Sequence, residues 1–324
     1  MAYQHSNYPE VHMLRRVILL CCLFLMIGTM PAQAQVDACT RTDRASWDGE
    51  SRFNILLMGM DRRPNNTNDT VRARMDVMMI VSYDPLSASV GVLDIPRDMH
   101  FAVSGFPGET LMRVNTLVVE GEDLQEGCGP YFAMETMQLN LGMYMDAYFA
   151  FDFTAFIEFV DFIGGVTVDV PTSIVDETYP NMNYGIDPLF IPAGVQEMDG
   201  EMALAYSRTR HSDNDYERGE RQLQVIRAVR ERLGEEGVIT ELLFDLPNFV
   251  SAVDGHYFSN MTPEQATQLG LAALTLDLDN LRTGSLNLDY SFNYRLGADY
   301  TVRVPDRSLL PNLLTDIFGE DYWR

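Results

Sequence analysis

Three short charged clusters hold the side chains best suited to chemistry: Asp61-Arg62-Arg63, Arg97-Asp98 and Arg208-Thr209-Arg210-His211. Each stands at or beside the end of an apolar run. A guanidinium is a planar fork that binds phosphate oxygens in pairs, so arginines gathered from several places make a phosphate or pyrophosphate site. One such cluster alone is more simply a surface arginine beside a surface acid. Three of them at strand ends favour a shared crevice, because ligands of open α/β sheets bind outside the carboxyl ends of the strands.

A fourth contribution comes from the segment beginning at Glu217. At about 100° per residue, Arg218, Gln222, Val225 and Val229 share one helical face, with Arg221 at its edge. That stripe is polar in its first turn and apolar afterwards, which a purely structural helix seldom shows. A helix N-terminus also presents backbone N–H groups to anions. Arg218 and Gln222 are therefore expected to face a phosphate, whereas Arg227, Arg230 and Arg232 read as solvated partners of Glu220, Glu231 and Glu235. Concentrated positive charge calls for a counterweight. Asp61 and Asp76, one just after a strand and the other just before the next, are candidates to hold Mg2+ through one or two carboxylates and substrate phosphates. Each is equally placed to cap a turn or to pair with Arg62, Arg72 or Arg74, and spacing does not decide between these readings.

The elements that must position these residues follow from periodicity and turn signals. Strands are expected from Phe53 to Met58, Val77 to Ser82 and Ser89 to Ile95, as neighbours, with more at Ala147 to Phe151 and Val166 to Val170. A last strand pair is expected at Arg282 to Leu288 and Tyr300 to Val304. Helices are expected at Glu109 to Glu120, Gly129 to Leu141, Phe153 to Ile163, Glu217 to Leu233, Thr240 to Val253, Pro263 to Leu274 and Ser308 to Phe318. Asp199 to Leu204 reads as a short helix passing into a strand near Ala205 to Arg208. Thr172 to Gly194, rich in Pro, Asn, Asp and Tyr, reads as a long irregular loop, of a length often used for lids or binding. Strands alternating with helices predict one α/β domain, a three-layer α/β/α sandwich on a mixed central sheet.

Arg15 and Arg16 precede a mostly apolar run from Val17 to Met30, and Ala32-Gln33-Ala34 then offers small residues at a cleavage spacing. A spanning helix needs about 20 apolar residues. This run is shorter, so residues 1–34 read as a secretory signal, with an uncleaved membrane anchor as the alternative. Either places the remainder outside the cytoplasmic membrane, secreted or membrane-associated: an N-terminal segment at 35–51, the domain at 52–319 and a tail at 320–324. Cys39 and Cys128 are the only cysteines beyond the signal. A disulfide between them suits an oxidising compartment, and two unrelated thiols are equally open. Neither Cys-x-x-Cys nor a Cys/His zinc spacing occurs. Basic residues number 23, all of them arginine, against 47 acidic ones, for a net charge of −24. Such a chain repels nucleic-acid backbones, so no nucleic-acid partner is expected.

Taken in order, several stretches resemble the LytR-CpsA-Psr (LCP) family of bacterial envelope enzymes. They are NILLMGMDRRP from Asn54, RMDVMMIVSYDP from Arg74, VGVLDIPRDM from Val90 and RVN from Arg113. They continue with FDFTAFIEFVDFIGGVTVDVP from Phe151, MDGEMALAYSRTRH from Met198, DYERGERQLQV from Asp215, and the LDLDNLRT and VRVPDRSLLPNLL stretches. The likeness runs from Arg52 to Gly319. It implies an Mg2+-assisted phosphotransferase that moves a glycopolymer from a polyprenyl-pyrophosphate carrier to a peptidoglycan hydroxyl at the membrane surface. Matched by motif, Asp61 and Asp76 correspond to the metal-associated carboxylates. Arg63, Arg97, Arg208, Arg210, Arg218, Arg221 and Gln222 correspond to the pyrophosphate-binding set. Arg97, Asp98 and Asp76 are the implied catalytic residues, with Asp98 orienting Arg97 or assisting the acceptor hydroxyl.

The family's lipid tail lies in an apolar tunnel beside the sheet, for which Phe153, Phe156, Ile157 and Val160 are candidates if they are not plain core. Some positions depart from the pattern. Arg74-Met75-Asp76-Val77 replaces R-S-D-T and loses two hydroxyls near the expected metal, Arg113 stands where lysine is common, and Glu217 where glycine is common. Hydrolysis with water as acceptor, and non-catalytic binding of the lipid carrier, are the alternative functions.

Overall fold

The three expected neighbours form: β1 (Phe53–Met60), β2 (Met75–Asp84) and β3 (Ser89–Asp94) pair antiparallel in sequence order. The computed structural model describes residues 47–62, 71–104, 110–182, 185–209, 215–235, 238, 248–249, 251–273, 280–297 and 300–323. After β3 come β4 (His100–Val103), β5 (Thr110–Arg113), α1 (Leu117–Leu124), α2 (Gly129–Leu141), β6 (Ala147–Phe151) and α3 (Phe153–Phe162). Next are β7 (Val166–Val170), β8 (Ile174–Asp176), β9 (Leu189–Ile191), β10 (Gly194–Met198), α4 (Gly200–Arg208) and α5 (Asp215–Gly234). The chain continues through β11 (Tyr257–Ser259), α6 (Pro263–Ala273), β12 (Leu281–Ser285), β13 (Ser291–Leu296), β14 (Tyr300–Pro305) and α7 (Leu310–Phe318).

Six strands make the central mixed sheet in the order β11-β6-β1-β2-β3-β12. β6 runs parallel to β1 and β12 parallel to β3, while β2 and β11 run against their neighbours. Alternation along the strands separates two apolar layers. Leu56, Met58 and Met60 of β1, with Met78, Ile80 and Leu93, pack under α1, α2 and α7. Phe149 of β6 packs on the other side with α3, α4, α5 and the β7–β10 ribbon, through Val160, Val166, Ala203, Tyr206 and Val225. The close approach of α7 depends on Gly91, where an added Cβ would lie 2.4 Å from the Phe318 ring. The three-layer sandwich is thus as expected.

Several local readings change. Thr110–Arg113 is a strand and not part of a helix, because its pairing with His100–Val103 overrides the helical spacing of its apolar residues; α1 begins only at Leu117. Ala205 to Arg208 stays helical, since Asp199 caps α4 by accepting from Met202 N at 2.8 Å and no turn residue interrupts the run. The Thr172 to Gly194 stretch contains the β8–β9 hairpin. β12 joins β3 in the main sheet, and β14 pairs instead with β13. Part of the helix expected from Thr240, residues 240–247, lies outside the described residues. Cys128 is disulfide-bonded, and Cys39 lies outside the described residues.

Candidate functional site

The parallel strands β6, β1, β3 and β12 all end on one edge of the sheet, and antiparallel β2 begins there. Asp61 follows β1, and its backbone N–H donates to Arg74 O at 3.1 Å, tying the approach to β2 onto the end of β1. The register then passes from Gly59 opposite Val77 to Met60 opposite Met75, leaving Asp76 as an extra residue in β2. A bulge of this kind re-aims a side chain. Met75 is wholly buried in the core, and Val77 lies against Gly59. The missing hydroxyls on either side of Asp76 therefore leave its own reach across the strand ends intact.

Arg97 Nη1 donates to Asp76 Oδ1 at 2.7 Å, bridging the loop after β3 to the start of β2. Its Nε lies 3.6 Å from Asp98 Oδ2, and Arg113 Nη1 lies 3.3 Å from Asp98 Oδ1. Asp98 thus stands between two guanidiniums, which suits the orienting role. The loop is fixed from behind: Asn115 N donates to Arg97 O at 3.0 Å and Val114 N to Met99 O at 2.8 Å. His100 is buried there, with Nδ1 3.1 Å from Asp98 O. Burial is the main influence on His100 and lowers its pKa; the backbone contact raises it, and the nearby Arg113 charge lowers it further.

Arg208 enters from the last turn of α4. Its guanidinium lies over the Phe153 ring at 4.4 Å and 5.7 Å from the Tyr179 ring centre. Nη1 donates to Pro180 O at 3.1 Å, and Nη2 is 3.9 Å from Asp61 Oδ1. On α5, Arg218, Arg221 and Gln222 are all buried, so the polar first turn does face inward. Arg221 donates to Tyr206 O at 2.8 Å and Thr209 O at 2.5 Å, and Gln222 Nε2 to Ser207 O at 3.3 Å. These carbonyls belong to the end of α4, where C=O groups have no helical partner. Arg221 and Gln222 therefore lock the segment carrying Arg208 to α5, a task the sequence reading had not assigned to them. Burial pulls the Arg221 pKa below its ordinary value, with Tyr206 acting the other way.

Gly219 is needed where it stands, because a Cβ there would lie 2.4 Å from Asp94 Oδ2. Ser285 Oγ donates to the same oxygen at 2.8 Å, so β3, β12 and α5 meet at a buried carboxylate. Asp94 and Tyr179 carry no signal in the sequence, and Phe153, a candidate for the lipid path, lies instead under the Arg208 guanidinium. Arg62 is buried and pairs with buried Asp152 at 2.9 Å, a carboxylate also 2.9 Å from His256 Nδ1. Arg232 pairs with Glu235, as expected, whereas Arg227 donates to Thr283. Arg63, Arg210 and His211 lie outside the described residues.

The edge therefore carries Asp61 with Arg208 and Asp76 with Arg97 and Asp98, while Arg218 is buried on α5 next to Gly219. Among the described residues no three His, Cys, Asp or Glu side chains cluster to cage a metal. Asp61 and Asp76, two carboxylates on neighbouring strand ends, are nonetheless a donor set that fits Mg2+, which takes one or two carboxylates and completes its shell with phosphate and water.

Beside this edge, the face of the sheet toward α5 is incompletely covered. Ile55, Leu57, Val77, Val81, Val90 and Phe151 are only half-buried although they sit on inner strands. Phe153 and Val160, by contrast, are buried, leaving Phe156 and Ile157 as the half-exposed members of the α3 set. The half-buried apolar residues beside the site thus come chiefly from strands, while Met79 and Val92 on the same face are buried beneath Leu223.

Residues 26–309 match the model of the LytR_cpsA_psr family. The chain is 30% identical over 181 residues to the Bacillus subtilis polyisoprenyl-teichoic acid–peptidoglycan teichoic acid transferase TagT, covering 56% of this chain and 52% of that protein. It is 27% identical over 247 residues to biofilm regulatory protein A of Streptococcus mutans, covering 73% of this chain and 57% of that one. It thus spans little more than half the length of these relatives. The crystal structure of B. subtilis TagV shares the fold, with a TM-score of 0.64 at 22% identity over 85% of this chain and 98% of that one. With the motifs in order along the sheet edge and the family model matched across most of its length, the chain belongs to the LytR_cpsA_psr family.

Proposed function

We propose that this protein is a phosphotransferase that moves a glycan from a polyprenyl-pyrophosphate carrier to a peptidoglycan hydroxyl, outside the cytoplasmic membrane and at its surface. One observation carries the reading: an arginine-and-aspartate edge borders a half-covered apolar sheet face. A pyrophosphate with a long lipid tail needs both halves. The transferase named among the relatives supports the reaction class, as does the order of the charged motifs.

In this reaction the acceptor oxygen bonds to the glycan-side phosphorus. The bond from that phosphorus to the bridging oxygen breaks, and polyprenyl phosphate leaves. The acceptor's proton passes to a base, for which Asp98 is our candidate. Phosphoryl transfer is largely positioning and charge stabilisation. Arg97 and Arg208 reach the edge from different elements, each steadied by a carboxylate. Mg2+ held by Asp61 and Asp76 would neutralise phosphate charge. Arg218 adds positive charge from α5, with Arg221 and Gln222 holding α4 in place.

The test is turnover of a labelled polyprenyl-pyrophosphate glycan by the purified full chain with Mg2+ and peptidoglycan. Label should appear on peptidoglycan, and Arg97→Ala should reduce the rate by about 10²–10³. Undiminished turnover in that variant overturns the role of Arg97. Label recovered only as free glycan phosphate replaces transfer with hydrolysis.

A further inference from the structure

Arg208 is held on more sides than a surface arginine requires. Phe153 supplies one aromatic face at 4.4 Å, Tyr179 a second ring at 5.7 Å, and Pro180 O an acceptor at 3.1 Å. Guanidinium over an aromatic face is an attractive and orienting contact. Tyr179 and Pro180 both lie between β8 and β9, in the stretch whose length is of the kind often used for lids or binding.

That stretch is fastened at its root and across its waist. Thr209 Oγ1 donates to Asp176 Oδ2 at 2.7 Å between two buried residues, and Thr209 directly follows Arg208. Asp176 Oδ1 accepts from Thr178 N at 3.1 Å and from Thr178 Oγ1 at 3.2 Å, setting the turn that leads into Tyr179. Asp187 N donates to Tyr179 O at 2.9 Å, and Pro180 bridges to Ile186. The backbone of Tyr179 is therefore tied in on both sides. Phe153 is equally fixed, being the first residue of α3 after its cap Asp152, whose carboxylate accepts from Ala155 N.

We infer that Tyr179 is a positioning residue for Arg208, and that the segment from Asp176 to Pro180, held by Thr209, Ile186 and Asp187, is a clamp presetting that arginine beside Asp61. The inference rests on the pyrophosphate reading of the site. A preset arginine contributes to binding the substrate's phosphates in ground and transition states alike. Its loosening should raise KM and leave kcat nearly unchanged.

The experiment compares wild type, Tyr179→Ala, Tyr179→Phe, Arg208→Ala and Tyr179→Ala/Arg208→Ala, all as full chains. Turnover of the polyprenyl-pyrophosphate glycan and calorimetric binding of inorganic pyrophosphate, both with Mg2+, are the readouts. Tyr179→Ala should raise KM and weaken pyrophosphate binding about three- to tenfold, and Tyr179→Phe, which keeps the ring, should stay within about twofold of wild type. In the Arg208→Ala background Tyr179→Ala should add nothing, because it acts through that side chain. Equal KM and binding in Tyr179→Ala and wild type overturns the inference while leaving the site reading in place. An undiminished effect in the Arg208→Ala background overturns it as well, since Tyr179 would then touch substrate directly. A wild type that neither binds pyrophosphate nor turns over overturns the site reading and the inference together.

Discussion

Leu56 and Leu57 are neighbours in β1, identical in type, and they serve different faces of the same sheet. Leu56 is fully buried among Met58, Met60, Met78, Ile80 and Leu93, beneath α1, α2 and α7. Leu57 is only half-buried, as are Ile55, Val77, Val81 and Val90 on the same face of the sheet. Inner strands of a sheet covered by helices on both sides ordinarily bury both faces. One face is therefore core in the plain sense. The other leaves apolar surface next to the edge where Asp76, Arg97 and Arg208 converge. An apolar strand residue is not automatically core; whether a helix covers it decides.

The comparison is broken most directly at Leu56. Leu56→Ala should lower unfolding free energy by about 2–5 kcal/mol, as large-to-small changes in packed cores do. Urea denaturation measures it, and a loss under about 1 kcal/mol would mean the first face is not the core we describe. Next in size is Arg97→Ala, expected to lower transition-state stabilisation by about 2.7–4 kcal/mol in turnover. Its denaturation midpoint should fall less than that of Leu56→Ala, because the Arg97–Asp76 pair, though mostly buried, lies at the rim of the sheet where water can reach the carboxylate left behind. A large fall in stability would make Arg97 a structural residue.

Leu57→Ala should cost less than Leu56→Ala, under about 2 kcal/mol, since less of the side chain leaves water on folding. It should raise KM for a long-chain polyprenyl substrate more than for a short-chain one. Equal changes for both chain lengths would remove the sheet face from the lipid path. The smallest effect is expected at His100. The unfolded chain's histidine takes up a proton below its ordinary value of about 6.5, whereas buried His100 resists protonation. The unfolded state then binds more protons, so stability present above that pH falls as acid is added, down through the folded pKa. Urea midpoints at about pH 7.5 and about pH 5.5 should drop more in wild type than in His100→Gln. Parallel curves would show that His100 titrates freely.

Legibility differed from element to element, for physical reasons. β1, β2 and β3 could be read because runs of apolar residues closed by Gly or Pro have few other solutions. α2 could be read because Gly142, with φ of +70°, ends a regular helix. β5 could not, because Thr110 to Arg113 fits a helix by spacing, and only a partner strand some residues away makes it extended. The end of α4 is helical where the sequence suggests a strand, yet Arg208 still stands at its last residue, within reach of Asp61. The charged edge was legible because arginines at strand ends are unusual in kind and position. Its supports were not. Phe153, Tyr179 and Asp94 are ordinary residue types whose roles exist only through contacts across long stretches of chain.

By itself the sequence determined the layered α/β architecture, the strongly acidic balance, and the set of arginines and aspartates whose chemistry suits pyrophosphate. Those follow from periodicity, net charge and side-chain chemistry, which are local or additive. Tertiary structure alone decided which of them meet. The bulge at Asp76 aims its carboxylate at Arg97. The buried stripe of α5 gives Arg221 and Gln222 to the end of α4. Leu57 is left half in the open while Leu56 is sealed. Register, helix placement and coverage depend on how distant segments pack, and no local pattern encodes them.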